Sequence, residues 1–140
     1  PRYEGAPQEW FGSREQDGKV VLTDREGRRV ILSRRSFDTH TTGSHKDRVQ
    51  YLDAMREALH DPDEIWINNE NPGQPYNNYT MLKYYRDEIV VACCRIVDGK
   101  VNELRTWFPL RMKKEVIAKH RRGLLVYKKT TPAEWPAGVE

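Results

Sequence analysis

At 140 residues the chain fits one domain, long enough to bury a core without disulfide or metal staples. Its 37% hydrophobic and 32% charged content suits a soluble globular protein. No apolar run reaches the roughly 18 residues that a membrane-spanning helix needs, and a secretory signal is not expected from the residues at its start. Net charge is only +3, from 24 basic and 21 acidic residues, so charge matters here through its distribution. The chain begins with Pro1 rather than Met, which suggests a piece cut from a longer protein.

Residues 1–17 are rich in Pro, Gly, Gln and charge and lack period, so residues 1–18 are expected to be a linker or arm. Lys19-Val-Val-Leu-Thr23 and Arg29-Val-Ile-Leu-Ser33 flank Asp24-Arg-Glu-Gly27, which predicts a hairpin. Ser36–Gly43 is polar and turn-like. Ser44 then stands as a helix N-cap with Asp47 three places on, and Val49, Leu52, Met55, Ala58 and Leu59 recur at helical spacing. That spacing predicts a helix over 45–60, which Asp61-Pro62-Asp63 ends.

Glu64–Asn68 reads as a strand, and residues 69–78 as a Pro/Gly loop. Strands are predicted near 79–85, 88–97 and 101–108, the last two joined by the hairpin pair Asp98-Gly99. A helix near 112–121 stops at Gly123, the strand Leu124–Lys128 follows, and residues 131–140, with Trp135, form a loose tail. The expected domain is therefore 19–130. Consecutive strands beside segregated helices give an α+β fold on a mainly antiparallel sheet.

Charge concentrates late. Between Lys100 and Lys129 ten basic residues face only Glu103 and Glu115, a distribution that draws phosphate backbones. The cysteines are the neighbours Cys93 and Cys94. On a strand they point to opposite faces, so they read as reduced structural thiols without metal-ligand spacing.

Several blocks together are distinctive: Arg48-Val-Gln-Tyr-Leu52, Leu59-His-Asp-Pro-Asp-Glu-Ile-Trp66, Leu82-Lys-Tyr-Tyr85, Val101–Phe108 with Thr106, and Arg122-Gly-Leu-Leu-Val-Tyr127. Over residues 36–128 they resemble the phage-associated branch of the barnase/EndoU/colicin/RelE-like nuclease superfamily. Such domains end phage polyvalent and head-morphogenesis proteins and bacterial polymorphic toxins. The resemblance implies a barnase/EndoU-like α+β fold, with helices on one face of an antiparallel sheet and RNA on the other. It further implies a ribonuclease toxin domain, and it points at Thr106 as a hydroxyl that bonds a phosphate oxygen.

Metal-free RNA cleavage uses the substrate's 2′-hydroxyl as nucleophile. The enzyme takes that proton, gives one to the 5′-oxygen and stabilises charge on phosphorus, tasks suited to His and to Arg or Lys. No carboxylate cluster has two-metal spacing, so neither metal nor cofactor is expected. Thr39–Arg48 is the densest group of proton carriers and anion donors: His40 and His45 are catalytic candidates, Arg48 a charge stabiliser, Lys46 a phosphate contact. His60 reads as a structural helix-end residue. Lys83, in the Tyr-rich strand, is a further catalytic candidate.

Strand alternation puts Glu103, Arg105 and Trp107 on one face and Leu104, Thr106 and Phe108 on the other. Arg105 and Thr106 therefore cannot both face substrate on a regular strand, unless a bulge or strand end intervenes. Tyr84 and Tyr127 are candidates for base stacking, and His120, Arg121 and Arg122 for backbone binding. The expectation is a metal-independent endoribonuclease toxin, with tRNA or another structured RNA as target, cleaving by 2′-OH transesterification. The alternative is a non-catalytic nucleic-acid-binding module. A monomer acting in a target-cell cytoplasm, masked by an acidic immunity protein, completes the reading.

Overall fold

The computed structural model describes residues 2–69, 77–98, 100–110 and 117–129. Its elements are α1 (Pro7–Gly12), β1 (Glu15–Gln16), β2 (Lys19–Thr23), β3 (Arg29–Ser33), α2 (Arg34–Thr41), a 3-10 helix (Gly43–Tyr51), α3 (Leu52–His60), β4 (Glu64–Asn68), β5 (Asn78–Tyr84), β6 (Ile89–Val97), β7 (Lys100–Leu110) and β8 (Leu124–Lys128). The strands form one sheet in the order β1-β2-β3-β7-β6-β5-β4-β8. Neighbours are antiparallel except β3 and β7, which run parallel at Ile31 and Glu103. The fold is α+β on a mostly antiparallel sheet.

Local chemistry explains the first hairpin. The buried Asp24 carboxylate accepts from the backbone N–H groups of Glu26 and Arg28, at 2.9 and 2.8 Å, and from Arg28 Nε at 2.7 Å. Gly27 supplies the positive φ of +78° that the turn needs.

Two expectations about helices are corrected. Residues 36–43 are not a turn: α2 begins at Arg34, and its cap is Ser33, whose Oγ accepts from the Ser36 N–H at 3.1 Å. Threonine is a poor helix former, but here Thr39, Thr41 and Thr42 donate to carbonyls four residues back, and Phe37 is buried. The helix expected over 45–60 is divided. Gly43–Tyr51 is 3-10 and only Leu52–His60 is α-helical, so Ser44 lies inside the 3-10 segment and Thr42 holds the N-cap position.

Residues 1–18, expected to be an arm, contribute α1, and Trp10 and Phe11 are buried in the main core. Trp10 Nε1 donates to Asp53 at 3.1 Å, fastening α1 to α3. Residues 70–76 of the expected loop, 112–116 of the expected second helix, and the tail 131–140 lie outside the described residues; Ile117 and Ala118 are helical.

Two apolar clusters flank the sheet. The larger joins Trp10, Phe11, Phe37 and the α3 residues Leu52, Met55, Ala58 and Leu59 to Val30, Leu32, Met81, Val90, Ala92, Cys94, Leu104 and Trp107. Leu82, Tyr84, Ile89 and Val91 point the other way and pack with Ile117, so apolar packing is not confined to one face.

One irregularity shapes the site. Across β6 and β7, Cys93 pairs with Thr106 but Cys94 pairs with Leu104, so Arg105 is an extra residue at a bulge. Leu104 and Trp107, three residues apart, accordingly both enter the larger cluster.

Candidate active site

The bulge opens onto a groove of about 710 Å³ on the sheet face opposite α3. Its lining includes His40, His45 and Arg48 from α2 and the 3-10 helix, Arg95 from β6, Glu103, Arg105 and Thr106 from β7, and Lys119, His120 and Arg122 from the segment before β8. Glu103 is the only carboxylate among these described lining residues, and Arg95 Nε stands 3.5 Å from it. The groove is strongly cationic, as a polyanion requires.

His40 is held in one tautomer. Its Nδ1 lies 2.7 Å from the Ser36 carbonyl, which can only accept, so Nδ1 carries the proton and Nε2 keeps its lone pair. Burial lowers the His40 pKa from its ordinary value; the Ser36 carbonyl opposes that shift, while Arg48 and His45 add to it. The ring lies 5.7 Å from Trp107 and 6.0 Å from His45, centroid to centroid. A neutral imidazole with an open nitrogen is a proton acceptor.

Arg48 Nη1 donates to Thr106 Oγ1 at 2.7 Å. The Arg48 carbonyl accepts from Trp107 Nε1 at 3.0 Å, which fixes the 3-10 helix on β7. Arg105 Nη1 donates to Asn78 Oδ1 at 2.7 Å. The sequence-level conflict between Arg105 and Thr106 therefore dissolves, because the bulge lets these neighbours line one groove.

The far wall is positioned by a buried network. Arg121 donates to both carboxylate oxygens of Glu64, at 2.9 and 2.5 Å, and Tyr84 Oη donates to the same carboxylate. Gly123 holds φ at +86°, and a Cβ there would meet the Ile67 carbonyl oxygen at 2.0 Å. The chain crosses β4 this closely only without a side chain. Pinned at Arg121 and Gly123, the segment presents Lys119, His120 and Arg122 to the groove. His120 lies 5.3 Å from the Phe108 ring, and burial, then Arg122 and Lys119, lower its pKa.

A family model described as phage-Barnase-EndoU-ColicinE5/D-RelE like nuclease2 matches residues 8–128. The chain belongs to this nuclease family. No curated protein and no solved structure matches it. Membership makes nucleic-acid cleavage the frame for the groove, and the match begins within α1, where Trp10 and Phe11 enter the core.

Of the residues singled out in this nuclease from sequence, His40, His45, Arg48, Arg105, Thr106, His120 and Arg122 converge on the groove. Five do not. Lys83 Nζ is spent on the carbonyl and carboxylate of Asp61, at 2.8 and 3.1 Å, where α3 ends. Tyr84 and Arg121 belong to the buried Glu64 network. Tyr127 lies under the Arg25 guanidinium, 3.8 Å from its ring centre. Lys46 is outside the groove lining.

Sequence reasoning passed over Arg95, Lys119, Asn68, Asn78, Thr80 and Cys93, all of which line the groove. Alternation along β5 carried a signal, since Asn78 and Thr80 share a face with Leu82 and Tyr84. Apart from histidine, no aromatic ring lines the groove among the described residues, so the expected stacking tyrosines have no counterpart.

Proposed function

We propose that this nuclease is a metal-independent endoribonuclease that cleaves RNA through its own 2′-hydroxyl. The observation that carries the reading is the convergence of a tautomer-locked His40 with the Arg48–Thr106 pair in a cationic groove. His40 Nε2 takes the 2′-hydroxyl proton, O2′ attacks the adjacent phosphorus, and the 5′-oxygen leaves with a proton from a second imidazole. The products are a 2′,3′-cyclic phosphate and a 5′-hydroxyl. His120 is the proposed donor. It enters from the β8 side of the strand order and His40 from the β3 side, as a displacement with acid and base on opposite sides of phosphorus asks. Arg48 and Thr106 bind the non-bridging oxygens, where preorganised donors lower the barrier most. His45 lies beside His40 as a further proton carrier.

The groove's own side chains fill every role in this scheme, which supports a reaction without metal or cofactor. The proposal extends to a toxin role in a target-cell cytoplasm, on tRNA or another structured RNA, after delivery within a larger polypeptide; the cationic lining supports the polyanionic substrate. The chain then acts as a monomer, and a cognate immunity protein covers the groove with an acidic surface.

The test is purified protein with total RNA in EDTA, beside His40→Ala and His45→Ala. Fragments with 5′-hydroxyl and cyclic-phosphate ends, lost in His40→Ala while its fold is kept, support the reading. RNA left intact by the wild type, or cut to leave 5′-phosphates, overturns it. Binding without cleavage assigns a nucleic-acid-binding module instead.

A further inference from the structure

The groove floor differs from its walls. A row of register partners crosses it: Asn68 on β4, Asn78 on β5, Arg95 on β6 and Glu103 on β7. The next row carries Thr80, Cys93 and Thr106. Toward β7 the floor is charged, with Arg95 and Glu103 paired. Toward β4 it is neutral: Asn68, Asn78 and Thr80. Neutral amides and hydroxyls compete poorly for phosphate but match the hydrogen-bonding edges of bases.

Asn78 is 7% exposed, and its orientation is dictated from one side. The Arg105 guanidinium has donors only, so the Asn78 amide oxygen must face it, and the NH2 end turns away. That Nδ2 makes no hydrogen bond among the described residues. An amide donor left open on a groove floor, at a residue otherwise nearly buried, is available to an acceptor on a ligand. Asn78 sits two strands from Thr106 and one row along, about 12 Å away. A nucleotide with its phosphate at Arg48 and Thr106 reaches Asn78 with its base.

We propose that Asn78, flanked by Asn68 and Thr80, forms a base-recognition subsite whose open amide donor discriminates among unpaired nucleobases by the placement of their acceptor atoms. The carbonyl oxygens of uracil, cytosine and guanine and the ring nitrogens of adenine lie at different points on their edges, so one amide in a fixed position does not serve all four equally. The proposal rests on the nuclease reading above for the position of the phosphate. With no aromatic platform in the described lining, hydrogen bonding rather than stacking sets the preference.

The experiment uses short 2′-O-methyl oligoribonucleotides with one cleavable ribonucleotide, varied among the four bases, against wild type and Asn78→Asp. Aspartate keeps an acceptor for Arg105 but replaces the NH2 by an oxygen. Wild type cleaves the substrate of its preferred base about fivefold to tenfold faster than that of its least favoured one. Asn78→Asp levels or inverts that ratio. Equal rates on all four bases in the wild type, or an unchanged profile in Asn78→Asp, overturn the proposal. Anisotropy binding of the same oligonucleotides reads the ratio without chemistry. If no substrate is cut, the nuclease reading fails alone where binding keeps the preference, and both fail where it does not.

Discussion

Arg48 Nη1 and Thr106 Oγ1 meet at 2.7 Å across 58 residues of sequence, joining the 3-10 helix to the bulged strand β7. A guanidinium spends one N–H on this hydroxyl and keeps others for a ligand, while the hydroxyl turns its own hydrogen outward. In the proposed reaction they act together as one anion clamp. Arg48→Ala should lower cleavage about 10²-fold or more, the range for removing one preorganised donor. Thr106→Val should cost less. In the double variant the losses should fall short of the sum by about 0.5–3 kcal/mol, as for contacting residues. Strict additivity of the three rate ratios would break the clamp into two unrelated groups.

The pH profile follows from His40. Burial holds its pKa below the ordinary 6.5, so the ring is already neutral at pH 7. A general base works deprotonated and a general acid protonated. Burial holds both His40 and His120 below 6.5, so kcat/KM should be bell-shaped with its maximum on the acid side of 6.5. The acid limb of kcat/KM should move upward in His45→Asn, which removes one of the neighbours that depress His40. Stability obeys the same sign. Below 6.5 the unfolded chain binds protons that the folded His40 and His120 refuse, so stability declines from pH 6.5 toward the lower folded values. Thermal melts across that window should flatten in His40→Ala/His120→Ala.

Much of this was legible before any coordinates. The β2–β3 hairpin, β4 and β8 announce themselves through β-branched runs and turn residues, because both signals are local. His40, His45 and Arg48 were legible as a cluster because they fall within ten residues of chain. The bulge at Arg105 was not legible. It depends on which residue of β6 faces which residue of β7, and pairing register is not written in either strand alone. Nor was the fate of Tyr84 and Arg121, since a basic run does not say which member is spent on a buried carboxylate. The helix α2 was hidden by its threonines, whose propensity is overridden by packing around Phe37.

Gly123→Ala tests the close crossing over β4. A methyl group 2.0 Å from the Ile67 carbonyl oxygen, at a φ of +86°, forces the backbone to move. A loss of about 1–3 kcal/mol of stability is expected. RNA binding should weaken beyond what the lost stability explains, because Lys119, His120 and Arg122 hang from this segment. Chemical denaturation and anisotropy at a temperature where both proteins stay folded separate the effects. An alanine variant with wild-type stability would mean the crossing is looser than the geometry requires.

Arg121 and Arg122 are neighbours with opposite roles, and single substitutions should separate them. Arg121 is tied to Glu64, a carboxylate only 2% exposed, so Arg121→Ala leaves a buried charge with one fewer partner. Removing one member of such a pair costs about 3–5 kcal/mol. The effect should appear in melting, with RNA affinity nearly unchanged once the protein is folded. Arg122 lines the groove. Arg122→Ala should therefore leave stability within about 0.5 kcal/mol, weaken RNA binding, and reduce the salt dependence of affinity by about one unit of slope. The logic is a division of labour imposed by burial. A guanidinium locked to a carboxylate in the interior cannot also neutralise phosphate, whereas its neighbour, facing the groove, can release counterions on binding. Were Arg121→Ala the variant that flattens the salt slope, the Glu64 pair would have to open when RNA binds.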